Sequence, residues 1–188
     1  MRVISGSAGG LRLVTPSGTE TRPTSDRVKE ALFSILESAG ILPGARVLDI
    51  FAGSGALGIE ALSRGAAYAV MVDKSRQATV AIKSNLLHTG LTDRATVFCQ
   101  DIFKSVEGLL KQGDSFDLVM LDPPYAAGIH QKAIEMAASL LKPEGMLVAE
   151  SSSRLVLPEK INLLRRLSRR VYGDTALELF LLEDNHAS

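Results

Sequence analysis

A mostly parallel β-sheet with helices on both faces is the fold class this sequence predicts. Three observations point to it. From residue 45 onward, short apolar runs alternate with stretches of helical periodicity. The apolar runs are continuous rather than alternating, which marks strands covered on both faces. With 188 residues, the chain has room for one domain of this kind and not for two.

Each element follows from local chemistry. Residues 2–14 are two short β-like runs around a glycine-rich turn and read as a hairpin. Residues 16–23 are a polar loop, after which Thr24 or Ser25 can cap a helix. Val28, Ala31, Leu32, Ile35, Leu36 and Ala39 then form one apolar stripe at helical period, ended by Gly40. Strands are expected at 47–51, 68–73, 95–101, 116–121 and 145–150, and helices around 59–62 and over 75–88, 103–111 and 129–141. Runs 163–171 and 175–182 flank Tyr172-Gly173-Asp174 and read as an antiparallel hairpin closing a seven-stranded sheet. The whole chain, 1–188, is then a single domain: an N-terminal hairpin and helix over 1–40, a core over 41–183, and a tail over 184–188.

Composition removes several function classes. Hydrophobic residues make up 46% and charged residues 22%, ordinary for a globular protein and far from a disordered chain. No apolar run approaches the ~18 residues of a membrane-spanning helix. The start lacks the long apolar stretch of a signal peptide. Cys99 is the single cysteine, so no internal disulfide forms, CxxC zinc sites are excluded, and the reducing cytoplasm fits. Net charge is zero, but it is unevenly spread. Residues 154–170 carry Arg154, Lys160, Arg165, Arg166, Arg169 and Arg170 against Glu159 alone. Such a run is either a solvated hairpin edge or a rim that meets a polyanion.

In an open parallel sheet, ligands bind outside the carboxyl ends of the strands. After the first strand stands Gly53-Ser54-Gly55-Ala56-Leu57-Gly58, a GxGxxG that opens a helix. Asp73 ends the second strand 20 residues after Gly53, where a carboxylate accepts both hydroxyls of a ribose. At this point a dinucleotide and S-adenosylmethionine fit equally. The fourth strand ends in Asp122-Pro123-Pro124-Tyr125, in the same crevice. The prolines stiffen the loop. It offers fixed acceptors, the Asp122 carboxylate and backbone carbonyls, beside the flat ring of Tyr125. An exocyclic amine on a stacked base is what such a set suits. His88, His130 and His186 are scattered and make no metal site. His130 reads as exposed, and Cys99, alternating with Val97, as core.

Beyond these motifs, the chain resembles the class I S-adenosylmethionine-dependent methyltransferases, and more narrowly the RsmD family, which methylates the exocyclic N2 of a guanine in 16S (small-subunit) ribosomal RNA. The resemblance runs through Arg2-Val3-Ile4-Ser5-Gly6 with Gly10-Leu11-Arg12, and through Arg22-Pro23-Thr24-Ser25-Asp26-Arg27-Val28-Lys29-Glu30-Ala31-Leu32-Phe33. It continues with residues 49–58, Glu60-Ala61-Leu62-Ser63-Arg64-Gly65 and the Asp-Pro-Pro-Tyr motif. It implies a Rossmann-like fold with S-adenosylmethionine as cofactor. Asp49, Gly53 and Gly55 would line its methionine part, Asp73 would hold its ribose, Asp101 with Ile102 beside it would meet its adenine, and Phe51, Ser54 and Lys74 would also bind it. The resemblance implies further that Asp122, Pro123, Pro124 and Tyr125 are the catalytic loop, and that Arg2, Arg12, Arg22, Thr24 and Arg27 touch RNA. The implied partner is 16S rRNA, presented within a partly assembled small subunit, with no membrane and no metal. Its target base would have to be unstacked to reach the crevice.

Three rivals remain at this stage. A DNA adenine-N6 or cytosine-N4 methyltransferase shares the Asp-Pro-Pro-Tyr motif but usually carries an added recognition region, for which no stretch is spare. A nucleotide-binding oxidoreductase shares the glycine loop. A non-catalytic RNA-binding module rests only on the basic 154–170 run.

Overall fold

The computed structural model describes residues 1–16, 25–123 and 129–183. Its elements in chain order are α1 (Asp26–Ser38), β1 (Arg46–Ile50), α2 (Ala56–Ser63), β2 (Tyr68–Asp73), α3 (Arg76–Thr89), β3 (Ala95–Cys99), α4 (Ile102–Lys111), β4 (Phe116–Leu121), α5 (Ile129–Ala138), β5 (Leu141–Ser152), β6 (Lys160–Ile161), β7 (Leu164–Tyr172) and β8 (Thr175–Leu182). They form an eight-stranded sheet in the order β3-β2-β1-β4-β5-β8-β7-β6. Strands β1 to β5 pair in parallel, and β8, β7 and β6 follow antiparallel. The seven-stranded expectation therefore falls one short: β6, two residues long, pairs with the outer edge of β7.

Successive strand residues feed two cores. Val47, Met71, Leu118, Met120 and Val148 pack on one face with Leu32, Phe33 and Leu36 of α1, Ile59 and Leu62 of α2 and Ile82 of α3. Leu48, Ile50, Val70, Val119 and Leu121 pack on the other with Val106 and Leu109 of α4 and Ile134 of α5. That is why the strands read as unbroken apolar runs.

Helix boundaries follow the caps. Ser25 Oγ accepts from the Val28 N–H at 3.3 Å, and Ser75 Oγ accepts from the Ala78 N–H at 3.3 Å. Strand β3 stops at Cys99 rather than at residue 101, because Asp101 caps α4: its Oδ1 accepts from Phe103 N at 3.0 Å and Lys104 N at 3.3 Å. Cys99 is exposed, not core, since it closes an edge strand. His130 is buried, not exposed. Burial pushes its pKa down; the nearby Glu178 carboxylate and a hydrogen bond with the Glu150 backbone push it back up.

The N-terminal pairing is slighter than a two-stranded hairpin. One isolated bridge joins Arg2 to Arg12, supported by Val3 N–H to Leu11 O at 2.9 Å and Leu13 N–H to Met1 O at 3.0 Å. The segment is held by the body of the protein instead. Glu60 of α2, fully buried, accepts from Ile4 N–H at 2.7 Å and Ser5 N–H at 3.0 Å. The same carboxylate meets Lys29 Nζ at 3.3 Å and Arg64 Nε at 2.7 Å. Lys29 is itself fully buried and also donates to Arg2 O. Burial lowers the Lys29 pKa and the Glu60 charge opposes that shift. A charged pair enclosed in this way survives because every partner is supplied.

Candidate active site

Sheet order reverses at the middle: the chain begins at β1, runs outward to β3, then returns to β4 on the other side of β1. Between the carboxyl ends of β1 and β4 the connections diverge to opposite faces and leave a crevice. The sequence motifs converge there.

β1 leaves the sheet through Phe51, a bulky residue at φ 63°, followed by Gly53 at 57° and Gly55 at 76°. A non-glycine residue at positive φ is strained, and such strain gathers at ligand sites. The turn closes through Gly55 N–H to Ala52 O at 2.7 Å, so Gly55 becomes the N-cap of α2. Gly58 packs closely against β2 and β1: a Cβ there would lie 2.6 Å from Met71 Cε, the flexible end of that side chain, and 3.2 Å from Asp49 Oδ2.

Two carboxylates flank this loop. Asp73 accepts from Gly53 N–H through Oδ2 at 2.9 Å and from Ser75 N–H through Oδ1 at 2.8 Å. Each oxygen keeps a second acceptor site, which suits a pair of vicinal hydroxyls. Asp49 is buried, and its Oδ2 accepts from Gly58 N–H at 2.9 Å. Burial raises its pKa to about 7; the Gly58 N–H opposes that shift, and the Asp73 charge adds to it. A cation beside Asp49 would restore its ionised form. The residues present therefore fit a nucleoside that carries an amino acid, with an ammonium at Asp49 and a ribose at Asp73.

On the other wall, Asp122 follows β4, and its N–H donates to Ile50 O at 3.3 Å. That bond carries the β1–β4 pairing to the lip of the crevice. Asp122 is half-buried and Pro123 buried. Pro124 and Tyr125 of the same motif lie outside the described residues, as do Arg22 and Thr24.

The remaining expected residues divide. Ser54 is buried, with its hydroxyl donating to Met1 Sδ at 3.6 Å. Lys74 is exposed at the end of β2. Asp101 sits at the carboxyl end of β3, with Oδ1 already taken by its cap. Ile102 is buried in the core beneath α4. Arg2, Arg12 and Arg27 are exposed, and Arg2 Nε lies 3.6 Å from Asp26. Among the described residues, no group of three acidic, histidine or cysteine side chains could hold a metal ion, and no helix is long and apolar enough to cross a membrane. A pocket of about 350 Å³ opens at the opposite end of the sheet, beside Pro43 and Pro143. Of its two carboxylates, Asp117 is already held by Arg46 N–H at 2.8 Å and Lys142 Nζ at 2.9 Å, and so offers little to a ligand.

The basic 154–170 run is largely consumed by the protein. Arg166 meets the buried Glu178 at 2.8 Å, and Arg169 Nε lies 3.6 Å from it. Arg169 also donates to Ser153 O at 2.7 Å and Leu155 O at 3.2 Å. Lys160 and Arg165 pair with Glu183. Arg154 and Arg170 stay exposed.

Sequence reasoning missed Asn85. It is buried on α3 and holds both the N-terminal segment and the glycine loop. A polar residue inside the Ala78, Ile82, Leu86 stripe was the available signal.

Comparison with known proteins agrees with this geometry. A family model described as "Conserved hypothetical protein 95" matches residues 1–181. The Bacillus subtilis (strain 168) protein YlbH is 38% identical over 182 residues, 96% of this chain and 98% of that one. The Escherichia coli (strain K12) ribosomal RNA small subunit methyltransferase D is 36% identical over 151 residues, 80% of this chain and 71% of that one. Among solved structures, the Escherichia coli protein yhhF superposes with a TM-score of 0.83 at 34% identity, covering 97% of this chain and 98% of its own.

Proposed function

The chain belongs to the RsmD family of methyltransferases, the family described as conserved hypothetical protein 95, and on that premise we propose that it methylates the exocyclic N2 amine of a guanine in small-subunit ribosomal RNA. The substrate class is supported by relatives, from Escherichia coli and Haemophilus influenzae, named ribosomal RNA small subunit methyltransferase D. The observation that carries the amine is the position of Asp122: it stands across the crevice from Asp49 and Asp73, tied to the end of β1 through Ile50.

S-adenosylmethionine supplies the methyl group as a sulfonium, already activated for transfer. The protein's task is then positioning and electrostatics. Asp73 receives the ribose hydroxyls, and ionised Asp49 receives the ammonium. Asp122 and the Pro123 carbonyl accept the amine's hydrogens and turn its lone pair toward the methyl group, with Tyr125 stacking on the base. Transfer would form a nitrogen–carbon bond as the cofactor's sulfur–carbon bond broke, and positive charge would grow on nitrogen. The Asp122 carboxylate stabilises that charge and takes the proton on its way to solvent. Arg2, Arg12, Arg22, Thr24 and Arg27 hold the RNA strand. The proposed substrate is this RNA within a partly assembled small subunit.

The test uses small subunits from a strain lacking the modification, labelled S-adenosylmethionine and the purified protein, followed by nucleoside analysis. Label in N2-methylguanosine is the expected result. Label in N6-methyladenosine or N4-methylcytidine, or transfer to duplex DNA only, overturns the base assignment.

A further inference from the structure

One buried side chain, Asn85, hydrogen-bonds both the N-terminal segment and the glycine loop. Asn85 Oδ1 accepts from Val14 N–H at 2.8 Å, while its Nδ2 donates to Val14 O at 2.8 Å and to Ser54 O at 2.9 Å. Both amide hydrogens and the carbonyl are engaged, which is nearly all that this side chain can offer. The pairing with Val14 copies one rung of a β-ladder, so it fixes the position of that backbone and the way it faces. The bond to Ser54 does the same for the loop between Gly53 and Gly55. Asparagine alone suits both tasks. Aspartate lacks the two donors, and leucine lacks every partner.

Asn85 is 1% exposed, so these bonds do not exchange readily with water. Nearby, Ser54 Oγ meets Met1 Sδ, a second contact between the same two regions. At its other end the segment is held by Glu60, through Ile4 and Ser5. It is thus pinned at both ends to α2 and α3, the two helices that open from the crevice. The segment presents Arg2 and Arg12 to solvent.

We propose that Asn85 is a positioning residue through which the glycine loop and the N-terminal segment set one another's conformation, so that cofactor binding and RNA binding are coupled. The proposal rests on the reading that the glycine loop takes S-adenosylmethionine and that the segment touches RNA. Coupling of this kind is reciprocal: whatever orders the loop orders the segment, and RNA on the segment tightens the loop around the cofactor.

Hydrogen–deuterium exchange with and without S-adenosylhomocysteine tests it on the full chain. In the wild type, the ligand is expected to slow exchange over 51–58 and also over 1–14. In Asn85→Asp, slowing over 51–58 persists and slowing over 1–14 is lost. Val14→Pro removes the N–H given to Asn85 at an exposed position, while fixing φ there, and keeps the test decisive should the aspartate variant not fold. It too is expected to lose the response over 1–14, with its affinity for S-adenosylhomocysteine unchanged and its KM for RNA raised several-fold. A merely structural staple would change baseline exchange but leave the ligand response over 1–14 intact in Val14→Pro, and that result overturns the proposal. So does a wild type in which 51–58 responds and 1–14 does not. A wild type in which 51–58 fails to respond contradicts the cofactor reading itself, and this inference falls with it.

Discussion

Two clusters of charge in this molecule differ in what surrounds them. At the crevice, Asp73 and Asp49 accept from backbone N–H groups of the glycine loop, of α2 and of the turn into α3. Neither is paired with a cation by those bonds, so their charge is available to a ligand. In the C-terminal hairpin, Arg166 and Arg169 close on Glu178, while Lys160 and Arg165 close on Glu183. Arg166 and Arg169 are spent on the fold, while Lys160 and Arg165 stay largely exposed beside Glu183. A ligand site is therefore recognised by charges held by dipoles, and a structural cluster by charges held by opposite charges.

That contrast is open to direct attack. The largest expected effect is at the crevice wall: Asp122→Ala should lower turnover roughly 100–1,000-fold, the size of losing one preorganised electrostatic partner, with S-adenosylhomocysteine affinity within about twofold of wild type. Single-turnover kinetics beside calorimetry would separate the two quantities. Next comes the hairpin. Arg166→Met leaves Glu178 buried with only the longer Arg169 contact, which should cost about 3 kcal/mol. Thermal unfolding would then fall by roughly 6–12 °C for a chain of this size, with methyl transfer per folded molecule unchanged. An unchanged melting temperature with weakened RNA binding would mean that the hairpin's cations are open after all.

Asp73→Ala removes the acceptor of two N–H groups together with the ribose contact. The expected loss of about 2 kcal/mol is roughly a 30-fold weaker affinity for S-adenosylhomocysteine by calorimetry. Smallest is Lys160→Ala. Its pair with Glu183 is exposed, so denaturant unfolding should shift by less than about 0.5 kcal/mol.

The crevice was legible in the sequence because its parts are local. A glycine run after one apolar strand, a carboxylate at the end of the next, and Asp122 after the fourth each sit at a strand end that the periodicity marks. What stayed hidden depends on partners distant in the chain. Lys29 is buried because Glu60, on another helix, receives it. Glu178 turns inward only because Arg166 and Arg169 lie on the neighbouring strand. Asn85 acts through Val14, 71 residues away. Asp101 was expected at the adenine, and the structure shows one of its oxygens capping α4, a competing use that the residue type alone could have suggested.

The most direct test of the open-crevice account is the pH dependence of S-adenosylhomocysteine binding. Asp49 has its pKa raised to about 7 in the folded protein, from 3.8 when unperturbed. The folded state therefore holds a proton that the unfolded chain gives up. This favours folding at low pH and is lost as pH rises through about 7. Ligand binding runs the opposite way, because the ligand's ammonium needs the ionised carboxylate. Calorimetric titration of the wild type should show one site whose affinity rises roughly tenfold between pH 6 and 8, with proton release on binding. In Asn-substituted protein, Asp49→Asn, affinity should be lower and flat over that range. Affinity independent of pH in the wild type, or the same rise in Asp49→Asn, would contradict the claim that this buried carboxylate is held open for the cofactor.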